Sequence, residues 1–118
     1  MKWKLALFVI AAGILAAPPR AMHAAGDAQR IEVSAKRFEF VPSIITVKKG
    51  EPVEIVLTTA DVPHGLKFPD FNQQVRIAKG TPSTLRFTPD KAGDFTGACS
   101  VFCGSGHGKM KLTLHVTE

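Results

Sequence analysis

The sequence predicts a single all-β domain, a sandwich or barrel, behind a short apolar leader. Three observations carry this reading. From Arg30 onward, short β-prone segments are separated at regular intervals by turn signals rich in Gly and Pro. Within the segments, apolar and polar residues alternate with a period of two. No stretch beyond residue 25 sustains a helical period. At 118 residues the chain suffices for one domain and not for two, and its 45% hydrophobic, 21% charged composition is that of a globular protein rather than a disordered one.

The leader comes first in chain order. Lys2 and Lys4 precede the uncharged run Leu5 to Ala17, which Pro18, Pro19 and Arg20 stop. Thirteen apolar residues are short for a membrane span, which needs about 20, and fit the apolar core of a secretory signal. Small residues at Ala21, Ala24 and Ala25 allow cleavage near Ala24 or Ala25; retention as an N-terminal anchor is the alternative. Residues 1–25 are therefore read as signal or anchor and residues 26–118 as the folded domain. Cleavage would remove Lys2, Lys4 and Arg20 with no acid, lowering the net charge from +5 to +2. No basic run is interleaved with aromatics, which argues against nucleic-acid binding.

Strands are expected at Ile31–Ala35, Ile44–Lys48, Pro52–Thr59, Gly65–Phe68, Gln74–Ala78, Ser83–Thr88, Asp94–Ala98 and Met110–Thr117. The separators are Pro42, Lys49-Gly50, Pro69-Asp70, Lys79-Gly80, Pro89-Asp90 and Ala92-Gly93. The last strand shows the alternation best. Met110, Leu112, Leu114 and Val116 fall on one face, and Lys111, Thr113, His115 and Thr117 on the other. In the third, Val53, Ile55 and Leu57 alternate with Glu54, Val56 and Thr58.

Chemistry is concentrated between the last two strands. Cys99, Cys103, His107 and Met110 are spaced by four, four and three residues, with Gly104, Gly106 and Gly108 among them. Glycine allows a short loop to turn tightly and converge its side chains, and a strand at each end gives the loop a rigid frame. Thiolate and thioether ligands are soft and suit copper(I), and imidazole also suits copper. Magnesium and calcium want oxygen, and zinc takes Cys and His but rarely Met. The set therefore favours copper. His64 is the best further ligand, in a turn Asp61-Val62-Pro63-His64-Gly65 that follows a predicted strand.

The Cys-x-x-x-Cys-x-x-x-His-x-x-Met spacing, with Asp-Val-Pro-His-Gly upstream, resembles the binuclear copper (CuA) domain of cytochrome c oxidase subunit II and nitrous-oxide reductase. The likeness is clear from His64 to Val116 and looser from Ile31 to Thr59. It implies a cupredoxin-like Greek-key sandwich or barrel and single-electron transfer. It also implies roles for six residues. Cys99 and Cys103 would bridge two copper ions, and His64 and His107 would each bind one. Met110 and the backbone carbonyl of Val101 would be weak axial ligands. The chain departs from the family in several places. Val101 stands where many members have Glu, which leaves a backbone ligand intact. Past the leader there is no Trp to match the family's electron-entry residue, and Lys67, Lys109 and Lys111 replace an acidic surface. Residues 1–118 hold no pair of long apolar runs like the two-helix hairpin of most oxidase subunits II.

Plainer readings stand beside these. Exported Cys99 and Cys103 could form a local disulfide, although closing it over three residues is geometrically demanding and leaves His107 and Met110 without a role. Met110 also suits a core position, and His64 could be a turn histidine. His115 reads as a surface residue, and His23 belongs to the leader. Phe102, Leu66, Phe68 and Phe71 could rim the site, with core packing favoured for Phe68 and Phe71.

The preferred function is electron transfer through a binuclear copper centre, in the periplasm or on the outer face of the cytoplasmic membrane. The partner would be a cytochrome or an oxidase or reductase. The alternative is a copper carrier delivering the metal to an oxidase. A mononuclear blue-copper protein would leave the second cysteine unused. No base, nucleophile or substrate clamp suggests an enzyme acting alone.

Overall fold

The structure, a computed structural model, describes Gly13 and residues 28–118. The leader and its cleavage region lie outside the described residues. Nine strands follow in order: β1 (Gln29–Lys36), β2 (Glu39–Val41), β3 (Ile44–Lys48), β4 (Val53–Thr59), β5 (His64–Phe68), β6 (Gln73–Ile77), β7 (Ser83–Phe87), β8 (Gly93–Ala98) and β9 (Lys111–Thr117). Two short 3-10 turns, Pro69–Phe71 and His107–Lys109, complete the described elements. The strands form two sheets, ordered β2-β1-β4-β7 and β3-β9-β8-β5-β6. This is the all-β sandwich that the period-two pattern predicts.

Eight of the nine strands fall where the sequence places them, with ends shifted by a residue or two. The ninth, β2, has no counterpart in the sequence pattern. It pairs with β1 at Lys36↔Glu39 through a two-residue turn, Arg37-Phe38. That turn lacks the Asn-Gly or Asp-Gly chemistry that marks a tight hairpin, and three residues are too few to show a period.

Alternation becomes burial. Val53, Ile55 and Leu57 of β4, and Leu112, Leu114 and Val116 of β9, all point into the core between the sheets. Each such side chain contributes about 1.5–3 kcal/mol of transfer free energy relative to exposure. Phe68, Phe71, Phe87 and Phe95 interlock further along the core, with Phe71 edge-on to Phe95 at 4.7 Å. Core packing is therefore the role of Phe68 and Phe71.

Strand order sets the site. β5 lies antiparallel to β8, with Lys67 opposite Ala98, so β5 begins at the end of the sandwich where β8 finishes. β8 and β9 form a hairpin whose last pair is Ala98↔Lys111. The segment from Cys99 to Met110 therefore leaves and re-enters the sheet beside the start of β5. Its base is closed by the Cys99 N–H donating to the Met110 carbonyl at 3.1 Å.

Candidate metal centre

His64 is the first residue of β5, rather than part of the preceding turn as the sequence suggests. The correction has a consequence. Residues i, i+2 and i+4 of a strand share a face, so His64 joins Leu66 and Phe68 on the core side, and all three are fully buried. Leu66 is therefore core, and the rim role suggested for it does not hold.

The Cys99–Met110 loop is folded by its own hydrogen bonds. His107 N–H donates to the Gly104 carbonyl at 3.1 Å, and Met110 N–H to the His107 carbonyl at 3.2 Å. Gly104 has a φ of +138°, a region side chains rarely adopt, and a Cβ there would meet the Phe38 ring at 3.0 Å. Gly106 presses on the same ring, leaving no room for a methyl group.

The loop and β5 bring six donor atoms together. Cys99 Sγ lies 3.9 Å from Cys103 Sγ and 3.9 Å from His64 Nδ1, and 3.1 Å from the Val101 carbonyl oxygen. Cys103 Sγ lies 3.8 Å from both His107 Nδ1 and Met110 Sδ. His64, Cys99 and Cys103 have all three donor atoms within 4.8 Å of one another. Both cysteines are free thiols. Metal–sulfur and metal–nitrogen bonds of about 2.3 and 2.0–2.1 Å at tetrahedral angles set two donors on one ion about 3.5–3.8 Å apart. The observed S···S and S···N separations lie within a few tenths of that range, so the donors fit a metal without rearrangement of the backbone.

Burial and charge make the same point. Cys99, Cys103 and Met110 are 3%, 5% and 0% exposed, while His107 is half-buried. Burial pushes the Cys103 thiol up, and the adjacent Cys99 adds to this against the pull of the Arg37 guanidinium. Two buried thiolates side by side are unfavourable unless a cation accompanies them, and a coordinated metal reverses that balance.

His64 is held from behind. Asp61 Oδ1 lies 2.8 Å from His64 Nε2. Burial works to raise the Asp61 carboxyl, but hydrogen bonds from the Arg37 N–H, the His64 ring and the Val62 N–H outweigh it and hold the group well below the usual carboxylate range. An ionised carboxylate only accepts, so Nε2 donates to it, and the neutral tautomer this selects has its Nδ1 lone pair toward Cys99. This is the carboxylate–imidazole support common behind metal-binding histidines.

The chain matches the cupredoxin-like domain family over residues 5–112. Cytochrome c oxidase subunit 2 of Thermus thermophilus is 33% identical over 107 residues, spanning 90% of this chain and 79% of the relative. The chain belongs to the cytochrome c oxidase subunit 2 family of cupredoxin-like proteins. It spans 64% of a second Thermus thermophilus subunit 2, also at 33% identity over 107 residues and 90% of this chain. Among solved structures, a cryo-EM heme-copper terminal oxidase dimer aligns with TM-score 0.68 at 28% identity, covering 82% of this chain and 68% of that one. The periplasmic domain of subunit II of cytochrome oxidase from Bradyrhizobium japonicum has the same fold, with TM-score 0.71 at 20% identity over 80% of this chain and 88% of that one.

Three residues of this cupredoxin's site carry no metal-type signature in the sequence. Asp61 sits in the quoted Asp-Val-Pro-His motif, and its spacing from His64 is the one available clue. Arg37 and Phe38 leave none. The Arg37 N–H donates to Asp61 Oδ2 at 2.7 Å, and its Nε donates to the Cys103 carbonyl at 2.8 Å. The β1–β2 turn thus ties the His64 support to the cysteine loop. Among the described residues, His115 is remote from the cluster, on the surface and paired with Asp94.

Proposed function

We propose that this chain carries single electrons through a binuclear copper centre held at one end of the sandwich, on the exported side of a membrane. The convergence of two thiols, two imidazoles, a thioether and a backbone carbonyl, with successive separations of 3.1–3.9 Å, carries the reading. Cys99, Cys103, His64 and His107 would hold the copper as its strong thiolate and imidazole donors, with Met110 and the Val101 carbonyl as weaker ones. When bound, the copper pair supplies a one-electron couple shared between two ions. The protein supplies the rest. Strands β5, β8 and β9 fix the donors, so a change of oxidation state moves them little. Burial of Cys99, Cys103 and Met110 keeps water from the sulfurs. Asp61 holds the His64 tautomer that a metal requires.

The family supports the redox role, and the apolar leader at residues 5–17 supports export, with cleavage or retention as an anchor. No helix among the described residues is long and apolar enough to cross a membrane. The partner in this reading is a cytochrome or an oxidase or reductase.

The test is electron paramagnetic resonance on reduced apo protein reconstituted with copper, with copper per chain counted in parallel. Two coppers per chain with hyperfine structure from one spin shared by two nuclei is the expected result. One copper per chain, or a silent copper(I) form released readily to an acceptor, would overturn it in favour of a carrier or mononuclear role.

A further inference from the structure

The end of the sandwich that holds the donors has a lopsided charge. Arg37 and Arg76 line an open groove together with Val62, Pro63, Val101 and Phe102. Lys109 follows His107 in the 3-10 turn, and Lys111 opens β9; both are exposed. The acids near this end are already engaged. Asp61 accepts hydrogen bonds from His64, Arg37 and Val62, and Glu39 pairs with Lys36 at 3.1 Å. Hydrogen bonds leave the Asp61 charge in place, but Arg37, Arg76, Lys109 and Lys111 outnumber it, so the net charge around the donors is positive.

Within this field stands Phe102. It is 78% exposed, against 47% for Val41 and 64% for Ile44, the other exposed large apolar side chains among the described residues. All other described phenylalanines are buried or half-buried. Its ring lies 5.7 Å from that of His107, centre to centre. An apolar ring left in water beside a donor imidazole, on the same groove as two arginines, fits the small mixed interface of a transient redox encounter.

We infer that this face docks a redox protein that presents carboxylates around an apolar cofactor edge, with Phe102 entering the apolar centre and Arg37, Arg76 and Lys109 meeting the acids. The inference rests on the electron-transfer reading and adds the sign of the partner's charge. Positive potential around the entry point steers a negative partner and repels a positive one, changing association rates by about 10- to 1000-fold.

Two measurements on the full chain test it. In the first, the copper-loaded protein is mixed in stopped flow with two c-type cytochromes, one net negative and one net positive at pH 7. The rate with the acidic cytochrome should be at least about tenfold higher at 10 mM ionic strength, where the screening length is about 30 Å, and the advantage should vanish near 1 M, where it is about 3 Å. Arg76→Glu and Phe102→Ser should each slow the acidic cytochrome severalfold. Lys48→Glu, the same charge change at the far end of β3, should not. In the second, amide chemical-shift changes of the metal-free chain with the acidic cytochrome should map to Arg37, Arg76, Phe102 and Lys109. This arm needs no copper, so a failure of metal loading is separable from a failure of docking. A faster rate with the basic cytochrome, or shifts confined to other faces, would overturn the inference. So would binding to phosphatidylglycerol vesicles through Phe102 and Arg76 without binding to the acidic cytochrome, which would assign the face to a membrane surface.

Discussion

Replacing Asp61 by Asn tests whether the site is built from its support inward. Asp61 uses both oxygens. Oδ2 accepts the Arg37 N–H at 2.7 Å, and Oδ1 accepts from His64 Nε2 at 2.8 Å and from the Val62 N–H at 2.6 Å. An amide can keep only one side. If its NH2 faces Arg37, two donors oppose each other. If it faces His64, the imidazole must accept at Nε2 and carry its proton on Nδ1, toward Cys99, which is the wrong tautomer for a ligand. Either loss leaves a polar group short of a partner at a cost of about 1–3 kcal/mol. For a domain of this size that lowers the melting temperature by roughly 4–8 °C per kcal/mol. Copper affinity should fall about 10- to 100-fold, the usual effect of removing such a partner. Thermal unfolding of the apo protein by circular dichroism and a copper(I) competition titration read the two effects. The pH dependence has a definite sign. The Asp61 carboxyl is depressed in the folded state, so its contribution is fully present above the unfolded value of about 3.9 and is lost as pH falls toward the lower folded value. The stability gap between wild type and Asp61→Asn should therefore narrow below about pH 4. Equal affinity together with an unchanged melting temperature at pH 7 would refute the argument.

Other predictions concern the brace, the ligands and the core. Phe38→Ala removes the ring under Gly104 and Gly106 and should cost about 2–3 kcal/mol in urea unfolding, at or below the low end of the roughly 3–5 kcal/mol range for Phe→Ala because the ring is only half-buried. Gly106→Ala should cost about 1–3 kcal/mol by overpacking against that ring, and combining it with Phe38→Leu should recover part of the loss in a double-mutant cycle. Met110→Leu conserves volume at a fully buried position. It should cost less than about 1.5 kcal/mol and keep the copper count while shifting the midpoint potential in voltammetry. Leu114→Ala, in the core of β9, should destabilise by about 2–5 kcal/mol without altering copper per folded chain, measured by metal analysis after refolding.

The sequence by itself determined eight of the nine described strands and the spacing of the sulfur and imidazole groups in the loop, because both are local. Alternation in β4 and β9 needs only neighbouring residues and the period-two geometry of a strand, and the spacing of Cys99, Cys103, His107 and Met110 lies within one loop. Tertiary structure decided what depends on contacts between distant segments. The antiparallel pairing of β5 with β8 placed His64 beside Cys99, 35 positions away. The β1–β2 turn reached Cys103 across 66 positions through Arg37, a contact that no pattern near Arg37 announces. Strand register turned Leu66 into the core with His64, whereas the loop left Phe102 in solvent. Two apolar residues of similar hydrophobicity thus have opposite environments, because burial follows from where the backbone points a side chain and not from its chemistry alone.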